Sequence, residues 1–185
     1  MIDAARIRRA APADARAIAR VHVESWRTAY AGILPDRVLV QMSAEQKTAA
    51  WRREIETRGK SQAVLVAELA DGTVAGFASC ASGGGALSGF DGEIYMLYVL
   101  PDWQEQGLGR ALLCGCLELL GKAGCRSAMV WALAGNPSRF FYEAMGAVRV
   151  GERHETLWGV KLHEVAYGWR DLSSLPAARR KGRPP

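Results

Sequence analysis

No apolar run in these 185 residues approaches the roughly 18–20 residues of a membrane-spanning helix, and none is longer than Ile94 to Leu100. The N-terminal stretch has no leader-like apolar region, and Asp3 and Asp14 interrupt its Ala/Arg bias, so a transit segment is not expected. The expectation is a soluble, cytoplasmic chain with no membrane partner. Cysteine is sparse: Cys80, Cys114, Cys116 and Cys125 form no CxxC pair, and the three histidines complete no zinc spacing. Interior thiols are expected there, and no metal. A one-signed charge is missing as well. Arg179, Arg180, Lys181 and Arg183 supply four of the net +5, leaving +1 over residues 1–178. A nucleic-acid binder spreads basic residues over a face of its fold, so no nucleic-acid partner is expected.

What is present is globular: 49% hydrophobic and 23% charged residues in 20.1 kDa, enough for one domain with a full core. That domain is expected over residues 1–172. The Ser/Pro/Ala/Arg composition of 173–185 cannot bury enough surface to order itself and reads as a basic tail.

After a short extended lead-in at 6–10, Ile18, His22, Trp26, Ala29 and Ile33 recur at helical spacing, and Gly32 and Pro35 punctuate the end. Ser43 with Gln46 predicts a capped second helix that turns Trp51 and Ile55 inward and stops at Gly59. Ala63–Glu68 and Thr73–Cys80 read as a hairpin around Ala70-Asp71-Gly72. The glycine-rich stretch 82–92 reads as a loop, followed by the most apolar strand, Glu93–Leu100. A helix over 107–123, a strand over 126–133, a short helix over 138–145 and strands near 147–156 and 160–169 complete the chain. Hairpins combined with one βαβ crossover predict a single mixed sheet with helices packed on it.

The stretch Tyr98-Val-Leu-Pro-Asp-Trp-Gln-Glu-Gln-Gly-Leu-Gly-Arg110 runs from an apolar strand through a glycine turn into a helix. The first amides of a helix lack intrahelical partners and its dipole favours negative charge, which suits a diphosphate. No lysine follows the glycines as a P-loop requires, and Leu112 stands where a dinucleotide fingerprint needs its third glycine. The Ser88 region lacks GxSxG, so hydrolase chemistry has no support.

Gln104-x-x-Gly107-x-Gly109 after the Tyr-Val-Leu-Pro strand resembles the Gln/Arg-x-x-Gly-x-Gly/Ala signature of the GNAT superfamily of N-acetyltransferases. Downstream, Asn136-Pro-Ser-Arg-Phe-Phe-Tyr142-Glu-Ala-Met-Gly146-Ala resembles that superfamily's Asn…Phe-Tyr-Glu…Gly segment. Ser25-Trp-Arg-Thr-Ala-Tyr-Ala-Gly-Ile-Leu-Pro-Asp36 is similar to one bacterial branch of it. Two departures stand out. Ala147 replaces the familiar Phe, and Asn136 lies one residue closer to Tyr142 than in many members.

The resemblance implies an acyl-CoA N-acyltransferase fold, a seven-stranded, mostly antiparallel sheet with helices on both faces. It implies acetyl-coenzyme A as cosubstrate, lying between strands 93–100 and 126–133. Main-chain groups along Leu97, Tyr98 and Val99 would meet the pantetheine arm, and amides of Gln104, Glu105, Gln106, Gly107, Leu108, Gly109 and Arg110 would hold the diphosphate. Asn136 would contact pantetheine, and Tyr142 would stand near the sulfur as proton donor. The implied reaction is direct attack of a primary amine in a ternary complex. An amine attacks only as the free base, so a proton acceptor is needed. Glu93 is the favoured base, sharing by alternation a face with Tyr95, Leu97 and Val99 unless a bulge intervenes. His154 and a water chain are the alternatives. His22 reads as a hydrogen-bonded core histidine, while Trp26 and Tyr30 suit either the core or an acceptor cleft. The acceptor stays open among small amines, polyamines, antibiotics and peptide or lysine amines, beside a coenzyme A-binding module without catalysis. The late strands could pair with a second copy as a homodimer.

Overall fold

A computed structural model describes residues 5–174. The unordered tail expected beyond residue 172 falls, from residue 175 on, outside the described residues. Leu172–Ser174 form a 3₁₀ turn.

The chain runs β1 (Arg6–Arg9), α1 (Ala15–Ala29), α2 (Asp36–Gln41), α3 (Ala44–Thr57), β2 (Gln62–Glu68), β3 (Val74–Ser82), β4 (Gly92–Val99), α4 (Leu108–Lys122), β5 (Ala128–Leu133), α5 (Arg139–Ala144), β6 (Val148–Leu157) and β7 (Val160–Trp169). Seven strands form one sheet in the order β1-β2-β3-β4-β5-β7-β6. Only β4 and β5 are parallel, joined through α4; every other pairing is antiparallel. The mixed seven-stranded sheet expected from the sequence is what the chain forms.

Helices cover both faces of the sheet. In β2 the period of two divides the side chains: Ala63, Leu65 and Ala67 pack towards α4, and Val64 and Val66 towards α1 and α3. A strand buried on both sides needs a nearly continuous apolar run, which β2 and β3 have. On one face, α4 turns Leu112, Leu113 and Cys116 inward beside Ile94 and Tyr167. On the other, Ile18 and Val21 of α1 meet Trp51 of α3 and Phe77 of β3. The Ser43 hydroxyl accepts the Gln46 amide at 3.3 Å, the expected cap of α3, a contact worth about 1 kcal/mol. Cys80, Cys116 and Cys125 are buried and unbridged.

Three local features differ from the sequence expectation. Helix α1 ends at Ala29, so Ile33 lies in a turn that feeds the unexpected short helix α2. Pro35 blocks continuation of α1, yet its fixed φ suits the start of a new helix. Strand β3 runs on to Ser82. The register of β3 against β4 also slips: Ser79 pairs with Met96 but Cys80 with Ile94, leaving Tyr95 as a bulge.

Candidate active site

The bulge sets the geometry of the centre. Strands β4 and β5 pair only from Gly92–Ile94 to Ala128–Val130, whereas β5 stays on β7 as far as Leu133. Beyond Tyr95 the two strands part and a V-shaped opening forms. The Leu100 amide donates to the Ala75 carbonyl at 2.8 Å. Antiparallel alternation then turns the main chain of Tyr98 and Met96 towards β3, and that of Leu97 and Val99 into the opening. The Val99 carbonyl is already engaged, accepting from Ser25 Oγ at 3.3 Å and Gln104 Nε2 at 3.0 Å. The Val99 amide and both main-chain groups of Leu97 are left to meet an extended ligand.

A cavity of about 510 Å³ occupies this opening and reaches from Gly107 and Arg110 to Asn136 and Tyr142. At its far end the chain leaves β4 through a 3₁₀ turn at Pro101–Trp103. Gly107, at φ +85°, then reverses into α4. That backbone is strained for any residue with a Cβ. The first intrahelical bond joins the Ala111 amide to the Gly107 carbonyl at 3.0 Å. The amides of Leu108, Gly109 and Arg110 precede it and have no acceptor within the helix. No side chain caps this end. Fifteen residues of aligned dipole add partial positive charge at the same place. A cradle of free amides with no lysine and no metal-ligand cluster among the described residues fits a diphosphate held by main chain. Gln104 joins the cradle indirectly, its side chain latching the loop to Val99.

The opposite wall of the cavity is α5. Asn136 Oδ1 accepts the Ser138 amide at 2.9 Å and fixes the turn into that helix. Trp169 Nε1 donates to the Met145 carbonyl at 3.0 Å and fixes its end. Between these ties the Tyr142 ring lies against Tyr167 and Trp169 of β7, with centroids at 6.2 and 6.4 Å. Tyr142 is 8% exposed, and burial, with Tyr30 and Cys116 nearby, holds its phenol far above the ordinary tyrosine range. The phenol is protonated at neutral pH, and its burial makes it a weaker acid than an exposed tyrosine.

A second cavity, of about 250 Å³, lies beside the first and shares Tyr30, Tyr95, Met96, Tyr98, Trp131 and Ala132 with it. Its walls carry Trp26 of α1, Trp158 of the β6–β7 turn and two carboxylates, Glu93 and Glu164. The hydroxyls of Tyr30 and Tyr98 are 3.1 Å apart at the divide between the cavities. Burial raises the pKa of both.

Glu93 requires a correction. Ile94, Leu97 and Val99 all face the α4 core, an arrangement open to residues at odd spacing only because Tyr95 bulges between them. Glu93, next to Ile94, points to the opposite face with Met96 and Tyr98, not with Leu97 and Val99. It borders the smaller cavity, 6% exposed, with Oε2 accepting the Ala86 amide at 2.7 Å. The bulge thus separates the carboxylate from the main-chain groups that face the opening and places it on the second side of the strand.

Other candidates fall into place around this centre. His154 is exposed, its ring stacked on His163 at 4.5 Å. Arg153, its neighbour on β6, faces the smaller cavity, so alternation turns His154 away from it. His22 is a core residue as expected: Nδ1 accepts from Trp51 Nε1 at 3.2 Å, and the ring stacks on Tyr98. Burial, reinforced by Lys47, pushes its pKa down to about 4. Sequence reasoning missed Ser25, Trp131, Arg153, Trp158 and Glu164. The aromatic content of the segments around the tryptophans was visible, but no local spacing joins these five segments.

The model of the family described as "Acetyltransferase (GNAT) family" matches residues 22–147. An uncharacterized N-acetyltransferase of Bacillus subtilis (strain 168), YuaI, is 40% identical over 169 residues, covering 91% of this chain and 95% of that protein. Aminoglycoside N(6')-acetyltransferase type 1 of Stenotrophomonas maltophilia is 33% identical over 124 residues, covering 65% of this chain and 70% of that protein. The solved PaiA N-acetyltransferase of Thermoplasma acidophilum, in complex with coenzyme A, superposes with a TM-score of 0.62. It is 21% identical, and the match covers 88% of this chain and 98% of that one, a likeness of fold. The chain belongs to the GNAT acetyltransferase family and is an acyltransferase of the N-acetyltransferase kind.

Proposed function

We propose that the protein transfers acetyl from acetyl-coenzyme A to a primary amine by direct attack in a ternary complex. The observation that carries this reading is the pair of adjoining cavities at β4, one ending in free helix amides and the other holding a buried carboxylate. Acetyl-coenzyme A supplies the acetyl group as a thioester. The amides of Leu108, Gly109 and Arg110 hold its diphosphate, Leu97 main chain and Asn136 orient the arm, and Val99 N–H donates to the thioester carbonyl oxygen. Glu93 takes the ammonium proton from the acceptor, directly or through water, so that nitrogen can form its bond to the acyl carbon. As the carbon–sulfur bond breaks, Tyr142 gives its proton to the departing sulfur. The nitrogen loses its second proton as the intermediate collapses, passed through water to the Tyr142 phenolate, and Glu93 releases its proton to solvent, so one proton is released per turnover.

Thiol release from acetyl-coenzyme A against a panel of primary amines tests the reaction. Wild-type protein is expected to turn over at least one amine. Glu93→Gln, which keeps the Ala86 contact but cannot take a proton, is expected to lower kcat about 10²-fold or more. The deficit should shrink at higher pH, where the free amine is abundant. Equal kcat in the two proteins at all pH values would remove Glu93 from the mechanism. Coenzyme A binding without turnover of any amine would leave a binding module.

A further inference from the structure

We propose that the smaller cavity selects a compact monoamine with an apolar body, and that Trp158 is the specificity-determining residue that covers it. This rests on the reading of that cavity as the acceptor side.

Size comes first. At about 250 Å³ the cavity falls below the ~300–1,000 Å³ of pockets that take drug-sized ligands. Its walls are then decisive. Trp26, Tyr30, Tyr98, Trp131 and Trp158 present ring surface, and Leu34 and Leu162 fill the gaps between them. Rings of this kind bury an apolar body and attract a cation over their faces.

Charge narrows the class further. Three charged side chains border the cavity, Glu93, Arg153 and Glu164. Arg153 Nε donates to Glu164 Oε2 at 2.6 Å, and its guanidinium lies 4.2 Å over the Trp131 ring. Among the lining charges Arg153 answers Glu164, and it also reaches Glu155, outside the lining, at 3.6 Å. Glu93 forms no ion pair among the described residues, so the cavity offers one uncompensated carboxylate. One cationic centre matches it, whereas a polyamine or an aminoglycoside would bring several positive charges into an aromatic box with one answering group.

Trp158 supplies the independent observation. It sits at the tip of the β6–β7 hairpin with φ +51°, followed by Gly159 at +75°. A two-residue turn between Leu157 and Val160 takes positive φ at both central positions, which Asn or Gly adopts with less strain than a bulky side chain. The ring is 48% exposed, so it contributes little burial in return. It is nevertheless held in place. Arg37 of α2 donates to the Trp158 carbonyl at 2.9 Å, and the indole meets Trp26 edge-on at 6.1 Å. The turn accounts for the positive φ, not for the choice of a half-exposed tryptophan there; its ring, tethered over the cavity, is the feature that a ligand would use.

The experiment titrates 2-phenylethylamine, spermidine and kanamycin into coenzyme A-saturated protein, read by tryptophan fluorescence, and measures thiol release with acetyl-coenzyme A for each. 2-Phenylethylamine is expected to bind and react at least about tenfold better than the other two. Trp158→Asn, which relieves the turn, is expected to keep or raise Tm while raising the KM for 2-phenylethylamine about tenfold with little change in kcat. Trp158→Phe should recover most of that loss. Preference for spermidine or kanamycin, absence of binding by 2-phenylethylamine, or an unchanged KM in Trp158→Asn would overturn the proposal. Tight binding of 2-phenylethylamine with no thiol release from any amine would uphold the cavity's selectivity and reject acetyl transfer.

Discussion

The two cavities on either side of β4 are built in opposite ways. The side proposed for the cofactor is continuous in sequence: Val99 to Ala111 contributes the latch, the left-handed glycine and the free amides, largely through main chain. The side proposed for the acceptor is assembled from α1, β4, β5, β6, the β6–β7 turn and β7, almost entirely through side chains. Main-chain recognition tolerates substitution as long as the turn keeps its shape. Side-chain recognition changes with each ring or charge exchanged. A fold divided in this way can hold one cosubstrate constant while its acceptor varies.

The largest effect expected from breaking this division lies at its seam. Tyr142→Phe removes the proposed proton donor without changing the ring's contacts with Tyr167 and Trp169. It should lower kcat about 10²–10⁴-fold with the KM for acetyl-coenzyme A nearly unchanged. Steady-state kinetics checks this, and a kcat within threefold of wild type would remove the tyrosine from proton transfer.

Next is the response to acid of the wall behind the acceptor side. His22 is 3% exposed beneath Tyr98, and its pKa is depressed to about 4 from 6.5. The unfolded chain therefore binds the proton more readily. The stabilisation from neutral His22 is complete above about pH 6.5 and is lost as pH falls through 4, in all ~3 kcal/mol. Urea unfolding at pH 7.5 and 5 should show the loss in wild type and a smaller one in His22→Gln. An identical loss in the variant would remove His22 as its source.

The smallest effect is expected on the cofactor side. Gly107→Ala meets no neighbour, so its cost is the φ alone, roughly 1–2 kcal/mol. Tm should fall by a few degrees and the KM for acetyl-coenzyme A rise about tenfold, with the KM for the amine unchanged. A matching rise in both KM values would show that the two sides are not separable as drawn.

The same division explains what could be read in advance. The strand–turn–helix at 98–110 is legible because its proposed role resides in consecutive backbone conformation, which Gly107, Gly109 and Pro101 signal directly. Tyr142 was legible through its neighbours in the Phe-Phe-Tyr-Glu stretch. Glu93 was picked out by its place at the head of β4, but its face was misassigned. Alternation is a rule of unbroken strands, and nothing in Glu93-Ile-Tyr-Met announces a bulge at Tyr95. The Arg153–Glu164 pair and the Trp158 tether to Arg37 span strands or distant segments, so no sequence window contains them.

The sequence by itself determined the order of elements apart from α2, the mixed sheet and the glycine turn that opens α4, because each follows from periodicity and turn chemistry over a few neighbouring residues. Only the tertiary structure decided where β4 parts from β5, which face carries Glu93, and how five distant aromatic side chains converge into one small cavity. Those depend on register and on packing between segments far apart in the chain, where a one-residue slip moves a carboxylate from one side of the sheet to the other.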